Sequence, residues 1–408
     1  MTTQLDNTAT ESEVDDVAPH SSLVRRHFLN PAFDQELPVL DTQRTSQYYA
    51  KPAGRRISEY EQVLLYAQPS PDWIPGGLGF GGWKNRSVGG RGAWENYFTE
   101  AKSSDWFAFR DPGARWQRPY TQQKAEEWEE FQRLLSVFGR QGLHRDIDDE
   151  WLHQVIPTYF GAYAHHEYGL QIAHASTSRD ALTDVMRVAF ITGALDHLDN
   201  AEMIQAVKVA LSQVLEGFSA EVKPGKDVWM ADPIYKGARA AVEEIWGGTY
   251  DFLEAIFAIY MIYEPLFGSF ARQQFFSRAA AAHGDVLTSA VISSTLSNAE
   301  IDAQWAFELF ERVLAGDPKF GAYNKQVMQM WAEKWLPITI NAMADFAPMF
   351  TKTKRLRDGA LAGGAPVAAD RVIGDWVARY AKVFDYSVDQ NALVGQIAGT
   401  PTPTTQTT

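Results

Sequence analysis

From residue 121 onward, apolar residues recur at intervals of three and four positions, the period of a helix with one buried face. Strand-like alternation is scarce in this region, and Ser, Asp and Gly separate the periodic stretches. Thr121, Asp148 and Asp180 stand where helix N-caps are expected. The pattern predicts an all-α fold. The predicted helices are Thr121–Arg140, Asp148–His174, Asp180–Asp199, Ala201–Phe218, Asp232–Trp246, Asp251–Arg278, Asp285–Leu314, Asn324–Phe350 and Arg371–Phe384.

Residues 21–119 lack such a period and are rich in Pro, Gly, Arg and aromatic residues. The run from Pro69 to Trp83 cannot form a helix, because its Pro and Gly residues break one. It is also too aromatic for a solvated linker, so we expect an extended arm laid over the chain's own helices or over a partner. The aromatic residues expected at a partner interface are Trp73, Phe80, Trp83, Trp94 and Trp106.

These patterns divide the chain into four predicted parts. They are an acidic, disordered tail (1–20), the extended arm (21–119), a helical domain (120–386) and a C-terminal tail (387–408), of which 400–408 is expected to be disordered.

Composition narrows the possible functions of the 408 residues. The net charge of −14 argues against binding nucleic acid, whose phosphates require a basic surface. The absence of Cys excludes disulfides, Cys-ligated zinc and iron–sulfur clusters. The most apolar stretch, Phe252–Phe270, contains Glu254 and Glu264 and is therefore interpreted as a buried helix rather than a membrane span. With no secretory leader in residues 1–20, we expect a cytoplasmic protein.

Histidine and acidic residues suggest a metal site at first, because six of the nine His lie between His144 and His197. Helical bundles bind two irons with two Glu-x-x-His motifs and two further Glu residues. The chain contains one such motif, Glu150–His153, at the predicted start of a helix. One motif cannot complete a di-iron site. We therefore interpret the acidic residues at this helix start as side chains that interact with the positive end of the helix dipole.

Two other polar residues fall beside apolar helix faces. Glu167 lies next to the apolar stripe of the helix Asp148–His174, and His197 shares a face with Phe190 on the following helix. A histidine on an apolar face is more often structural than metal-binding, so this pattern predicts a buried pair between His197 and Glu167.

The spacing of this pair resembles the first half of the iron-binding pattern in the catalytic α subunit of bacterial multicomponent monooxygenases. There, Glu-Tyr is followed about thirty residues later by Leu-Asp-Glu-x-x-His. Here Glu167-Tyr168 is followed by Leu195-Asp196-His197-Leu198-Asp199-Asn200. The resemblance places His197 where the bridging Glu would be and Asn200 where the His would be.

The second half of the chain shows a similar resemblance. Glu264-Pro265-Leu266 resembles the α subunit's Asn-Pro-Leu helix, which places Ile259 at the third Glu ligand. His283-Gly284-Asp285 resembles its Asn-Gly-Asp turn, and the second His position then falls on Asp302 or Ala303. With at most one or two of six ligands kept, the resemblance implies that this chain binds no iron pair.

The family resemblance implies a non-catalytic β subunit of a soluble di-iron monooxygenase hydroxylase, built as a ferritin-like bundle of long helices with additional packed helices. The di-iron centre is then expected in a partner α subunit, in an α2β2 assembly that can include a γ subunit. A coupling protein and an NADH-dependent reductase would act on this complex. The expected reaction is hydroxylation of a small hydrocarbon with O2, with propane or another short alkane favoured.

Two other functions remain open from the sequence. One is an active di-iron or mixed-metal oxidase with unusual ligands such as Glu167, His197 and Asp199. The other is a free-standing helical binding protein. Metal analysis of the purified chain distinguishes the first from a scaffold, and the presence of a partner with two Glu-x-x-His motifs argues against the second.

Overall fold

The computed structural model describes residues 58–66, 99–181 and 183–399, and all regular secondary structure in these residues is helical. This confirms the predicted all-α fold. The helices are α1 (Glu59–Tyr66), α2 (Gln117–Gln141), α3 (Gly161–Asp180), α4 (Asp184–Val214), α5 (Lys223–Ala231), α6 (Pro233–Glu243), α7 (Phe252–Ala282), α8 (Val286–Phe307), α9 (Gly321–Phe346), α10 (Lys354–Arg357), α11 (Gly364–Arg379) and α12 (Gln390–Ile397).

Several of these helices contain or adjoin π-helical turns. The stretch Trp151–Phe160 leads into α3, Ala258–Ser277 forms the middle of α7, and Pro157 and Pro265 lie within these two stretches. The other π-helical segments, Glu244–Gly248 and Glu308–Ala315, follow α6 and α8. The 3-10 turns are Trp106–Ala108, Leu143–Asp146, Ala347–Thr351 and Ala381–Phe384.

The helix boundaries differ from the predictions in informative places. The sequence predicts two helices around Asn200, but α4 is continuous there. The Asn200 amide donates to Glu167 and accepts from Asn298 inside the bundle, so it does not compete with the helix backbone. Helices α1, α5, α10 and α12 were not predicted, and α12 lies in the segment expected to be a tail.

The predicted N-caps are correct at one position of three. Asp148 accepts hydrogen bonds from the backbone N–H groups of Glu150 and Trp151, as a cap should. Thr121 lies inside α2 and Asp180 ends α3, so these two predictions are wrong. The observed caps of α4, α7 and α8 are Thr183, Asp251 and Asp285.

Helix α7 runs through the interior of the bundle. It is long and apolar enough to cross a membrane by length and composition, yet 83% of its most apolar window is buried within the structure. It packs against α8, α9 and α11, and α3 pairs extensively with α4. The prediction that Phe252–Phe270 is a buried core helix is confirmed.

The stretch of the predicted arm from residue 99 to the start of α2 lies on the chain's own bundle. Its backbone is held by side chains: Glu100 N–H donates to Asp251 (2.6 Å), and Ser104 N–H donates to Asp317 (2.6 Å). Between them, Asn324 both accepts from the backbone N–H of Lys102 and donates to its carbonyl. This part of the arm therefore contributes to the fold of the chain itself.

Candidate functional site

Helices α3 and α4 run antiparallel and bring the predicted buried pair together. Glu167 lies opposite His197, and further along α3, His174 lies against Gly193, earlier on α4. The His197 Nδ1 is 2.7 Å from Glu167 Oε2, and both side chains are buried. The predicted contact between Glu167 and His197 is confirmed.

Glu167 has further partners that the sequence did not indicate. Asn200 Nδ2 donates to Glu167 Oε2 at 3.3 Å, and Arg272 Nη1 donates to Glu167 Oε1 at 3.1 Å. The same guanidinium reaches Glu264 Oε2 through Nη2. We call these five side chains (Glu167, His197, Asn200, Glu264 and Arg272) the Arg272 cluster. All five are buried, so one guanidinium compensates two interior carboxylates.

The electrostatics of this cluster fix its charges. Burial disfavours the charged form of Glu167, but Arg272 and the hydrogen bond from His197 outweigh it and hold the Glu167 pKa well below its usual range. Burial alone would lower the pKa of His197, and its bond to Glu167 raises it instead. The structure therefore favours an ionised Glu167 beside His197.

A second buried cluster surrounds Arg115, just before α2. Its guanidinium donates to Asp196 Oδ2 at 2.9 Å and Asp302 Oδ1 at 2.7 Å, and its Nε lies 3.4 Å from Asp111. Lys124 Nζ adds a contact of 2.8 Å to Asp196. We call these side chains (Asp111, Arg115, Lys124, Asp196 and Asp302) the Arg115 cluster. Burial and the neighbouring Asp302 raise the Asp196 pKa to about 6, although Lys124 and Arg115 oppose this.

Polar contacts connect the two clusters. Lys124 Nζ donates to Asn298 Oδ1 (2.8 Å), and Asn298 Nδ2 donates to Asn200 Oδ1 (3.1 Å). On another side, the Tyr260 hydroxyl donates to Asp302 and contacts His174 Nδ1 at 3.1 Å. Burial and the nearby His197 hold the His174 pKa well below its usual range, so this imidazole is neutral.

The structure brings some of the predicted metal-site positions together and separates others. Glu167, His197 and Asn200 meet in one cluster. Asp302 belongs to the Arg115 cluster, and Ile259 is a fully buried apolar side chain without a donor atom. Asp199, proposed as an unusual ligand, accepts from Trp128 and Lys124 on the α2 side.

These residues do not fit an iron pair. A guanidinium lies between Glu167 and Glu264, where it places positive charge and five N–H donors beside the oxygens a metal would need. No group of three or more His, Asp or Glu residues within the described residues is arranged to hold a metal ion. The Glu150–His153 motif is also unsuited, because Glu150 accepts from Lys354 N–H and His153 is exposed.

The predicted partner interface requires one correction. Trp106 is only 7% exposed and packs in the chain's own core, so it is not available to a partner. Trp73, Phe80, Trp83 and Trp94 lie outside the described residues. Their assignment to an interface stays a prediction.

Sequence reasoning missed both arginines and Glu264. Arginine is usually a surface residue, and each of these two pairs with carboxylates far away along the chain. The one available signal was the opposite charge of Glu264 and Arg272 within one predicted helix, of which only Glu264 entered the resemblance. The π-helical backbone of Ala258–Ser277 brings the side chains of Glu264 and Arg272, eight positions apart, into contact.

Comparison with known proteins gives consistent similarities. Residues 83–317 match the Methane/Phenol/Alkene Hydroxylase family. The methane monooxygenase component A beta chain of Methylosinus trichosporium is 40% identical over 78% of this chain and 81% of that protein. The propane 2-monooxygenase hydroxylase component small subunit of Rhodococcus jostii is 28% identical over 76% and 82%.

A solved structure of xenon-pressurized phenol hydroxylase from Pseudomonas sp. OX1 superimposes with a TM-score of 0.64 at 15% identity. The superposition covers 86% of this chain and 98% of that chain. At this identity the similarity concerns the fold alone, and it confirms the predicted bundle.

Proposed function

This chain belongs to the methane, phenol and alkene hydroxylase family, and we propose that, as the β chain of a hydroxylase component, it braces the iron-bearing α chain and binds no iron itself. The observation that carries the proposal is the Arg272 cluster. Arg272 occupies the contacts of Glu167 and Glu264 that a cation would otherwise make. A chain whose interior carboxylates are already compensated has no need of metal for its fold.

The proposed complex contains two α and two β chains, with the di-iron centre in α and an associated coupling protein and NADH-dependent reductase. In this arrangement the β chain supplies rigidity. Its elements are cross-connected in the interior by Arg115, Lys124 and Arg272. These side chains tie the arm to α4 and α8, α2 to α4, and α7 to α3. We place this assembly in the cytoplasm.

The proposed substrate is a short alkane. The relative with 40% identity is named for methane and the one with 28% for propane. Both methane and propane are therefore substrates to test, rather than propane first.

The test replaces the remaining metal-like positions of the β chain within the assembled hydroxylase. The variant Glu167→Gln/His197→Gln keeps hydrogen-bonding groups but removes the carboxylate and the imidazole. We expect it to assemble with α and to keep iron content and alkane turnover within about twofold of wild type, because both positions keep hydrogen-bonding groups and the proposed iron centre belongs to the α chain. As control, Arg118→Gln changes an exposed residue.

A loss of turnover greater than tenfold in an intact complex with full iron content would contradict the scaffold function. It would favour the oxidase alternative, in which Glu167 and His197 act on the reaction. Equal turnover by the α chain in the absence of any β chain would also contradict the proposal.

A further inference from the structure

The two clusters differ in how completely their buried atoms are hydrogen-bonded. In the Arg272 cluster, Glu264 Oε1, Arg272 Nε and His197 Nε2 are buried and have no hydrogen-bond partner within the described residues. The side-chain N and O atoms of the Arg115 cluster show no such deficit there. Buried polar atoms are rarely left unpaired, and those that are often mark a place suited to another group.

The oxygens of Glu167 and Glu264 converge on one small volume. Both contact the Arg272 guanidinium, one through Nη1 and the other through Nη2. His197 holds the second oxygen of Glu167 from the other side. With the guanidinium in place the described residues form no group arranged to hold a metal ion, but carboxylate oxygens and an imidazole nitrogen are donor types that first-row divalent metals accept.

The space around Glu264 and Arg272 also bears on whether a metal ion could replace the guanidinium. A Cβ at Gly268 would lie 2.8 Å from both Glu264 oxygens and 2.9 Å from Arg272 Nη2, so the ion pair depends on glycine there. A cavity of about 230 Å³, lined by Glu264, Arg272 and residues of α8 and α11, adjoins the cluster. A small ion can reach Glu264 through it.

We propose that Arg272 is the internal cation that closes this bundle to metal, and that removing its guanidinium turns Glu167, Glu264 and His197 into a site for one divalent metal ion. The same change at Arg115 should not create a site. Its carboxylates keep Lys124 as a cation, and their other partners are Tyr120, Tyr260 and Trp305 rather than an imidazole.

The experiment compares four full-length chains: wild type, Arg272→Ala, Arg115→Ala and Arg272→Ala/Glu264→Gln. Each is refolded with and without CoCl2 and freed of unbound metal by gel filtration. Cobalt is counted, its visible absorption is recorded, and thermal unfolding is measured. We expect about one Co²⁺ per chain and a cobalt-dependent rise in Tm for Arg272→Ala only, since it alone frees two carboxylates beside an imidazole.

An Arg272→Ala chain that stays metal-free overturns the proposal, whether or not it folds. Equal cobalt uptake by Arg115→Ala also overturns it, because the metal would then follow any loss of buried positive charge. Cobalt uptake by Arg272→Ala/Glu264→Gln would place the ion elsewhere and would also overturn the proposal. This proposal rests on the proposed function but can fail without it. A metal-free Arg272→Ala chain would leave the scaffold function untouched. Cobalt bound at this cluster in the wild-type chain would contradict both.

Discussion

The Arg115 and Arg272 clusters both compensate the charge of buried carboxylates, but they do so with different hydrogen bonding. Each buries a guanidinium between two carboxylates that belong to different helices. Arg115 comes from the arm segment, donates through Nε, Nη1 and Nη2, and has Lys124 beside it. Arg272 belongs to the bundle itself, and its Nε has no hydrogen-bond partner within the described residues.

The difference shows which cluster is purely structural. A fully bonded buried network fixes one arrangement of the helices, and loss of any member is costly. An incompletely bonded network tolerates replacement of its cation better. We therefore interpret the Arg115 cluster as the fixed joint between arm and bundle, and we propose that the Arg272 cluster is the altered remainder of a metal-site geometry.

The largest expected effect follows from removing Arg115. Arg115→Met leaves Asp111, Asp196 and Asp302 buried with Lys124 as the remaining cation. We expect a loss of about 3–5 kcal/mol in the free energy of unfolding, measured by urea denaturation. The control Arg118→Met breaks an exposed ion pair with Glu59 and should cost less than about 1 kcal/mol. Similar losses for the two variants would contradict the structural assignment of the Arg115 cluster.

A smaller effect is expected within the Arg272 cluster. His197→Leu should cost roughly 1–3 kcal/mol, because it leaves one oxygen of Glu167 with only the Asn200 amide. Glu167→Leu should cost more, since it removes partners of Arg272 and Asn200 as well. The double variant should cost less than the sum of the two singles. Strict additivity of the two changes would show that the residues do not interact.

The effect of a paired cation on the pKa of a buried carboxylate can be measured by comparison with a buried carboxylate that has no such cation. Asp251 forms no ion pair with a Lys or Arg in the described part of the chain, and burial raises its pKa to about 7. Between its ordinary value and pH 7, the folded chain holds a proton that the unfolded chain releases. Its contribution therefore makes the free energy of unfolding fall as pH rises across this window.

Asp251→Asn should flatten that part of the pH dependence, with the difference between variant and wild type measured by urea denaturation from pH 4 to 8. A variant that keeps the wild-type slope would show that Asp251 does not titrate in this window. Glu167, whose pKa is depressed by Arg272, gives the opposite slope near its ordinary pKa, where the unfolded chain binds a proton that the folded chain does not, and no slope above about pH 6, where it is ionised in both states.

The smallest expected change in stability comes from deleting residues 1–57. A cut after Leu64 would remove core contacts, because Tyr60 and Leu64 are buried and the Tyr60 hydroxyl accepts from Asp111 N–H. A deletion ending at residue 57 spares these contacts. We expect the shortened chain to fold and to co-purify poorly with the α chain, measured by affinity capture of α. Undiminished capture would show that residues 1–57 are not required and that the interface lies after residue 57.

The helical fold and the Glu167–His197 contact could be predicted because both follow from short-range periodicity. Apolar residues every three or four positions define a helix face, and two polar residues on facing stripes must meet. The continuity of α4 through Asn200 could not be predicted. Asn disfavours helix interiors in isolation, and its bonds to Glu167 and Asn298 override that preference.

The arginines were beyond prediction for a different reason. Arg115 contacts Asp196 and Asp302, which lie 81 and 187 residues further along the chain. No local pattern encodes such pairings, and a single arginine in an irregular segment is ordinarily exposed. The described part of the arm is likewise held by Asp251, Asp317 and Asn324, whose roles become visible only in the folded chain.

The most direct test of the account is the metal content of the wild-type chain. The full-length chain is purified without its partner, reconstituted anaerobically with ferrous iron, exposed to air and freed of unbound metal. Because Arg272 already compensates Glu167 and Glu264, we expect substantially less than one iron per chain and no absorption from a carboxylate-bridged ferric pair. Two irons per chain with that absorption would contradict the central claim that this β chain is a metal-free scaffold.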